Sequence, residues 1–433
     1  MTETVLLVGG GGREHAIARA VERSPDATLF ACASNRNPGI DAASEGFEPI
    51  EETDADAVVE YARSVGATLA VIGPEAALEA GVADALDAAG VYAFGPHAEE
   101  ARIETDKAFQ REFMADNDIP GCPDYEVFEE PAAAADHVRE ADRDLAIKPR
   151  GLTGGKGVRV TGDQVTAAEG AEYVRESDHE AFVIEERLVG EEFTVQAFVA
   201  NGQYRVTPAV QDHKRAYEGD EGPNTGGMGS YSDASFELPF MTEADYTAAV
   251  DILDAVVDAM PGYKGILYGQ FMLTADGPKV VEFNARFGDP EAMNTLPVLE
   301  TDVVSILRAA RDGEDLPELE FKNRATVCKY AVPDGYPADP QAQAGAEVTI
   351  DPGSAGEALL FYASVDARED GVYTTTSRSF AVVGRGDTVT GAEAVAADAI
   401  HRADETGLRV RHDIGTAELL QARIDHMNRL RGD

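Results

Sequence analysis

Two segments about fifty residues apart carry the residue types that chemistry needs. The first, Gln211-Asp212-His213-Lys214-Arg215 followed by Gly222-Pro223-Asn224-Thr225-Gly226-Gly227-Met228-Gly229, is a glycine-rich loop with two cations just upstream. Such a loop brings backbone N–H groups and positive charge close to an anion. The second is Glu282-Phe283-Asn284-Ala285-Arg286-Phe287-Gly288-Asp289-Pro290-Glu291. The run over 280–284 reads as a strand, so Glu282 and Asn284 project from one face, as a carboxylate and an amide must to share a hard cation such as Mg²⁺. Gln270, on the strand-like run Tyr268-Gly269-Gln270-Phe271, offers a further oxygen, and a satisfied strand glutamine fits the spacing equally well. Arg286 follows on the turn, within reach of a phosphate.

The elements that must hold these groups alternate at first. The apolar run over 5–8 leads into Gly9 to Gly12 and then an amphipathic stretch over 13–21, which is the pattern of strand, glycine turn and helix. Strands are expected over 28–33, 68–73 and 91–95, with helices over 55–65 and 78–89. That order builds a parallel, doubly wound sheet. A dinucleotide site is disfavoured. Glu14 or His15 stands at the third glycine of G-x-G-x-x-G, and Ser34-Asn35-Arg36-Asn37 carries no acid for a ribose. Gly11, Gly12 and Arg13 are expected instead to hold the monophosphate of a sugar at the helix N-terminus, with a turn of purely packing role as the plainer alternative.

Farther on, a helix is expected from 106 to about 118 and a strand over 145–149 that ends in Lys148 and Pro149. The loop Arg150-Gly151-Leu152-Thr153-Gly154-Gly155-Lys156-Gly157 is no Walker A, because no Gly-Lys-Ser/Thr opens a helix. Read alone it fits a bulged hairpin. Standing before the strand over 182–188, it reads as a lid that folds over a triphosphate. That strand would present backbone groups to adenine, and Glu191 or Glu192 a carboxylate to ribose hydroxyls. The C-terminal hundred residues, with strands expected over 327–332, 358–364 and 379–383 and a helix over 391–403, show no catalytic cluster.

With 433 residues and 44% hydrophobic content the chain has room for two to four domains with proper cores. Its formal charge is -44, and it has eight lysines against 28 arginines. A surface so acidic suits a cytoplasm of very high salt, where a Debye length of about 3 Å at 1 M suppresses self-repulsion. Nucleic acid and anionic membranes are not expected as partners. Half of the lysines, Lys107, Lys148, Lys156 and Lys214, lie in or beside the segments above, where a compact ammonium would serve as a point charge on phosphate. Cys32, Cys122 and Cys328 are scattered, which indicates neither a disulfide framework nor a metal cluster and fits a reducing interior. Met1-Thr2-Glu3-Thr4 is no basic leader, and no apolar run approaches the ~18 residues of a membrane span, so a cytoplasmic protein is expected.

In chain order, G-G-R-E-H, I-K-x-x-G-L-x-x-G-K-G, E-E-x-x-x-G-E-E, Q-D-H-K-R with G-P-N-T-G-G-M-G, and E-F-N-x-R-F-G-D-P-E resemble the phosphoribosylamine-glycine ligase family of the ATP-grasp superfamily. The similarity runs from Gly9 to about Gly415. It implies an α/β and α+β multidomain fold: an N-terminal sugar-phosphate domain over 1–103, an ATP-grasp body over 104–325 with a mobile lid near 124–192, and a C-terminal α+β domain over 326–433. It implies an enzyme that joins glycine to 5-phosphoribosylamine at the expense of ATP, through a glycyl phosphate, in purine synthesis; a monomer is expected. By motif match, Lys107, Lys148, Gly154, Gly155, Lys156, Gly157, Glu185, Glu186, Leu188 and Glu192 would hold ATP. Gly11, Gly12, Arg13, Asp212, Asn224, Thr225, Gly226, Gly227, Met228 and Asp289 would meet the other substrates. Glu282 and Asn284, with Gln270, would bind Mg²⁺ or Mn²⁺, and Arg286, Asp212 and Lys214 would serve the catalytic step. Ala285 departs from the cysteine common there, and Pro149-Arg150 from the small or acidic residues that often follow the lysine.

Two rivals stay open on the residues alone. A formate-using or carboxylating ATP-grasp ligase shares the lid and the metal strand, though G-P-N-T-G-G-M-G stands against it; a nucleotide-binding regulator would not need Glu282 and Asn284 beside Arg286. The charge balance itself makes a prediction. The thermal unfolding midpoint, followed by circular dichroism, rises as KCl goes from dilute buffer to multimolar, and an unchanged midpoint would contradict the self-repulsion reading.

Overall fold

A computed structural model of the chain describes residues 2–152, 157–339, 341–342, 344–348, 355–403 and 407–432. The N-terminal unit is a five-stranded parallel sheet in the order Gly46–Pro49, Ala27–Ala33, Glu3–Val8, Leu69–Ile72, Tyr92–Phe94. Val5 to Val8 are completely buried, as a strand covered on both faces requires. The strand order reverses between Glu3–Val8 and Leu69–Ile72, and the crevice beyond the carboxyl ends at such a reversal is where open α/β sheets bind ligands. Two turns meet there: Gly9 to Gly12, opening the helix Gly12–Glu22, and Gly73-Pro74, opening the short helix Glu75–Glu79. The single helix expected over 78–89 is two, Glu75–Glu79 and Val82–Ala88, because Gly81 between them takes a left-handed φ of 77°.

A second unit has its own small core. Four antiparallel strands, in the order Tyr125–Phe128, Phe182–Glu186, Leu145–Pro149, Arg159–Val160, carry the helices Pro131–Glu140 and Ala167–Glu176. Val138, Ile147, Val174 and Phe182 belong to a hydrophobic cluster separate from that of the rest of the chain. A unit whose apolar contacts are mostly internal can move as a body. Gly154, Gly155 and Lys156 lie outside the described residues; Gly157 begins the return, its carbonyl accepting from the Tyr173 hydroxyl at 2.8 Å.

The central sheet runs Gln203–Val206, Glu191–Ala200, Gly265–Thr274, Gly277–Asn284, all antiparallel. Its last pair carries a β-bulge: Gln270 opposes Glu282, but Phe271 opposes Val280, leaving Val281 out of register. The extra residue frees a carbonyl. Val281 O accepts from Arg111 Nη2 at 2.7 Å and Lys148 Nζ at 2.9 Å. Arg111 comes from the helix Lys107–Asp116, whose N-cap Asp106 accepts from the N–H groups of Ala108 and Phe109.

The last sheet joins segments distant in sequence. Ala325–Pro333, Phe380–Gly386, Leu359–Tyr362 and Leu408–Val410 form its C-terminal part, and Ala325–Pro333 also pairs with Gly229–Ser232, which pairs with Gln211–Asp212. The glycine-rich loop between these two short strands is thus an outgrowth of the C-terminal sheet. The long helices Glu243–Ala259 and Ala417–Arg431 lie outside the expected elements. No helix among the described residues is long and apolar enough to cross a membrane.

Candidate active site

The bulged strand Gly277–Asn284, the start of the helix Lys107–Asp116 and the loop after Gln211–Asp212 enclose a cleft. Lys107, Lys214, Glu282, Asn284, Arg286, Asp212, Thr225, Gly226 and Asp289 all line it. Glu282 and Asn284 face it together, as the strand alternation requires.

At its centre stands an ammonium. Lys214 Nζ donates to Gln270 Oε1 at 2.6 Å and lies 3.6 Å from Glu282 Oε1. Gln270 passes the chain on, its Nε2 donating to Glu192 Oε2 at 2.6 Å. Burial alone would raise the Glu282 carboxyl, but the ammonium groups of Lys214, Lys107 and Lys148 and the guanidinium of Arg286 outweigh it and hold it at about 2. Mg²⁺ favours one or two protein oxygens with phosphate and water completing an octahedron. Glu282 and Asn284 fit that role, since Asn284 Oδ1 makes only a long 3.4 Å contact with Arg286 Nη2. Gln270 fits it less well, because its amide oxygen already accepts from Lys214.

Arg286 does not stand free for a phosphate. Glu104 Oε1 lies 2.9 Å from its Nη2 and Glu75 Oε2 3.3 Å from its Nε, while Arg13 Nη1 is 3.9 Å from the same Glu75 oxygen. Burial and the neighbouring Glu75 push the Glu104 carboxyl up to about 7 against the pull of Arg286. Glu75, carrying both Arg286 and Arg13, is lowered to about 2 despite its own burial.

Lys148 and Glu185 are committed inward. Glu185, buried, takes Arg111 through both oxygens at 2.7 and 3.0 Å and Lys148 at 2.7 Å. Only its backbone remains for a nucleotide. Glu186 turns outward, accepting from Lys279 Nζ at 2.7 Å and the Asp124 N–H at 3.1 Å, and Leu188 lies beyond the strand end. Of the two candidate ribose acids, Glu191 faces away from the cleft, held by His426 at 2.6 Å and Arg423 at 3.3 Å. Strand alternation puts Glu192 on the Gln270 side.

The glycine turn is partly filled by its own chain. Glu14 Oε2 accepts the Gly11 N–H at 2.8 Å, and Glu14 Oε1 lies 2.6 Å from Arg13 Nε. Arg13 Nη1 donates to the Phe287 carbonyl at 3.2 Å. A phosphate there would compete with the Glu14 carboxylate for these donors. Gly11, Gly12 and Arg13 nonetheless line a cavity that shares Arg13, Asp289 and Arg378 with the main cleft.

Two residues of the glycine-rich loop are placed elsewhere. Met228 is completely buried in the main core, and Asn224 Oδ1 accepts from Gln164 of the second unit at 3.3 Å, along a groove with Arg215. Motif membership alone does not say which way a side chain points. Thr225 bridges the loop, donating to the Lys214 carbonyl at 2.8 Å and accepting from the Gly227 N–H at 3.0 Å. Gly227 has φ of 110°, and a Cβ there would sit 2.7 Å from Pro290.

Several contributors carry no short-range sequence signal. Arg378 of the C-terminal part donates to the carbonyls of Gly226 at 2.7 Å, Gly227 at 3.1 Å and Asp289 at 3.1 Å, and lies 3.2 Å from Asp289 Oδ2. Its guanidinium stacks 4.4 Å over Tyr330, whose hydroxyl donates to Asp289 Oδ1 at 2.5 Å. Glu75, Glu104, Tyr268 and Glu291 also line the cleft. Glu291 lay inside a motif, and Tyr268 in a strand-like run, already singled out; Glu75 and Glu104 are joined to them only by tertiary packing.

A four-stranded unit with its own core beside a central antiparallel sheet, with lysines and the Glu282 and Asn284 face lining the cleft, defines an ATP-grasp ligase. Models of the phosphoribosylglycinamide synthetase N domain, ATP-grasp (A) domain and C domain match residues 3–104, 105–292 and 326–417. Proteins named phosphoribosylamine--glycine ligase from Methanococcoides burtonii and Methanosarcina barkeri are each 52% identical to it, with 99% of this chain and 99 and 100% of theirs covered. The crystal structure of the ligase so named from Thermotoga maritima superposes with a TM-score of 0.79 at 26% identity, covering 95% of this chain and all of that one. The chain belongs to the phosphoribosylglycinamide synthetase family. A biotin carboxylase domain crystallised with MgADP, at 15% identity and a TM-score of 0.73, shares the fold.

The charge balance on Glu282 sets an acid limb for stability. Its folded value of about 2 lies below the ordinary 4.5, so its contribution is present above about pH 4.5 and is lost as the pH falls toward 2. In urea titrations Glu282→Gln is expected to be less stable than the wild type at neutral pH, with the gap closing over that window. A gap independent of pH would contradict the assignment.

Proposed function

We propose that this chain condenses glycine with 5-phosphoribosylamine, forming glycinamide ribonucleotide, ADP and phosphate, as the names of its relatives describe. What supports this most directly is the single cleft in which Lys107, Lys214, Glu282 and Asn284 face Asp212, Asp289 and Arg378. One end suits a triphosphate, and the other opens toward the glycine turn at the sheet reversal. A carboxylate is a poor electrophile, so the glycine oxygen first attacks the γ-phosphoryl of ATP, and the sugar amine then displaces phosphate from the glycyl phosphate. Neither step needs a protein nucleophile; the first needs charge neutralisation, alignment and exclusion of water.

In this reading Lys107 and Lys214 pull charge from the phosphoryl oxygens. Lys148, through the Val281 carbonyl and Glu185, fixes the bulged strand while the backbone of 185–188 meets adenine and Glu192 the ribose. Glu282 and Asn284 would hold Mg²⁺ or Mn²⁺, which supplies neutralisation of the triphosphate when bound. Arg286, clamped by Glu75 and Glu104, positions Asn284 and the turn rather than contacting phosphate first. Thr225, Gly226 and Asp289 orient the sugar amine, and Gly11, Gly12 and Arg13 its phosphate, with Glu14 displaced. The second unit, near residues 124–192, closes as the lid. The domain limits near 103 and 325, a monomeric state and a salt-rich cytoplasm complete the reading, the last supported by the charge of -44.

The test is ADP release in multimolar KCl with ATP, Mg²⁺, glycine and freshly generated phosphoribosylamine, each omitted in turn. Full release is expected only when both glycine and the amine are present, and Glu282→Gln is expected to lower it by about 10²–10³-fold, as for loss of a preorganised charge. Release that ignores glycine and answers to bicarbonate or formate would overturn the substrate assignment.

A further inference from the structure

Six carboxylates line the cleft, and four of them are tied to a cation. Glu75 and Glu104 hold Arg286 at 3.3 and 2.9 Å, Glu282 lies 3.6 Å from Lys214, and Asp289 3.2 Å from Arg378. Asp212 and Glu291 differ. Among the described residues neither has a Lys or Arg nitrogen at ion-pair distance, and each is steadied by a neutral donor. Asp212 Oδ1 accepts the His213 N–H at 2.7 Å, and Glu291 Oε1 accepts the Tyr268 hydroxyl at 2.8 Å. Glycines make the room for both. A Cβ on Gly227 would lie 2.8 Å from Asp212 Oδ1, and one on Gly288 would collide with Glu291 Oε2.

We propose that Asp212 and Glu291 act as one unit, the proton acceptor for the sugar amine as it attacks the glycyl phosphate. This rests on the ligase reading above. In the step, the amine nitrogen bonds to the carbonyl carbon, the bond from that carbon to the phosphate oxygen breaks with its electron pair leaving on phosphate, and one N–H proton passes to a carboxylate oxygen of the pair. The location fits. The pair lies in the cleft that holds the Lys214 and Glu282 face and also Arg13, Asp289 and Arg378, which it shares with the glycine-turn cavity. The amine arriving from the sugar side therefore meets the activated glycine beside these two acids.

The chemistry of the pair agrees. A carboxylate held against a cation is a weak base, because the cation stabilises its ionised form. Burial, and then Glu291, raise Asp212 well above the usual carboxylate range, and burial raises Glu291. Both line the same cleft and the charge of Glu291 acts on Asp212, so their titration belongs to the pair. The groups facing them are Lys214 and Arg378 near Asp212, and Tyr268, Lys214 and Arg286 near Glu291. These donors pull both carboxyls back toward their ionised forms, which favours an oxygen on the pair able to accept.

The experiment separates the two halves of the reaction in the full chain with Glu291→Gln and, as a second variant, Asp212→Asn. Glycine activation is read as glycine-dependent scrambling of bridge ¹⁸O in ATP, amide formation as ligated product, and trapping as the hydroxamate formed with hydroxylamine, whose weak basicity lessens the need for a base. The expected result is that amide formation falls by about 10²-fold or more, the scale of general base catalysis, while scrambling and hydroxamate formation persist. The wild-type rate of amide formation falls on acidification as the pair fills with protons, and this limb is displaced in the variants. Loss of scrambling together with amide formation in both variants, or near-normal amide formation with an unchanged pH profile, would overturn the proposal. Absence of glycine-dependent scrambling in the wild type would instead bring down the glycine-activation reading itself.

Discussion

The contact between Lys214 and Glu282 is the constraint around which the site is arranged. A carboxylate on the inner face of a sheet needs a compensating charge, and Lys214 supplies it at 3.6 Å while also binding Gln270. Lys107, Lys148 and Arg286 add to the same potential, which is why the Glu282 carboxyl is held at about 2 in spite of its burial. The lysine therefore serves the resting site as a cation would serve the loaded one. A chain with a formal charge of -44 presents positive charge to an anion through such local concentration of cations, here Lys107 and Lys214 with Arg13, Arg286 and Arg378.

The C-terminal part contributes more than cover. Its sheet runs through Gly229–Ser232 into Gln211–Asp212, so the loop carrying Lys214, Thr225 and Gly226 is anchored on the strands of the C-terminal part. Arg378 and Tyr330 then fix Asp289 from above. Loop geometry at this end of the cleft is thus set by packing between segments distant in sequence, and the two cavities share Arg13, Asp289 and Arg378.

What the sequence made legible was whatever depends on short range. Period-2 alternation placed Glu282 and Asn284 on one face, and the glycine turn with its flanking apolar runs gave the parallel sheet, because both patterns are local. The same alternation separates Glu191 from Glu192, but only once the register with Gly265–Thr274 is known. The bulge at Val281 has no glycine or proline to announce it, and it decides where Lys148 and Arg111 bind. Met228 and Asn224 belong to the motif and not to the cleft, since a motif records a segment and not the direction of each side chain. Glu75, Glu104, Tyr330 and Arg378 were invisible because their roles arise where distant segments meet. Glu14 was seen as a departure from a dinucleotide fingerprint, while its occupation of the Gly11 N–H depends on the cap geometry.

The most direct test of the account is the affinity of the nucleotide-free protein for Mn²⁺, read by electron paramagnetic resonance in multimolar KCl for the wild type and Lys214→Met. Salt screens a pair within a cleft less than one on the surface, so the comparison survives these conditions. If Lys214 balances Glu282 in the resting site, its removal leaves a less compensated carboxylate beside Asn284, and the variant binds the free ion more tightly than the wild type. Equal or weaker binding by Lys214→Met would contradict the account, because Glu282 would then not be the group that the lysine and the cation share.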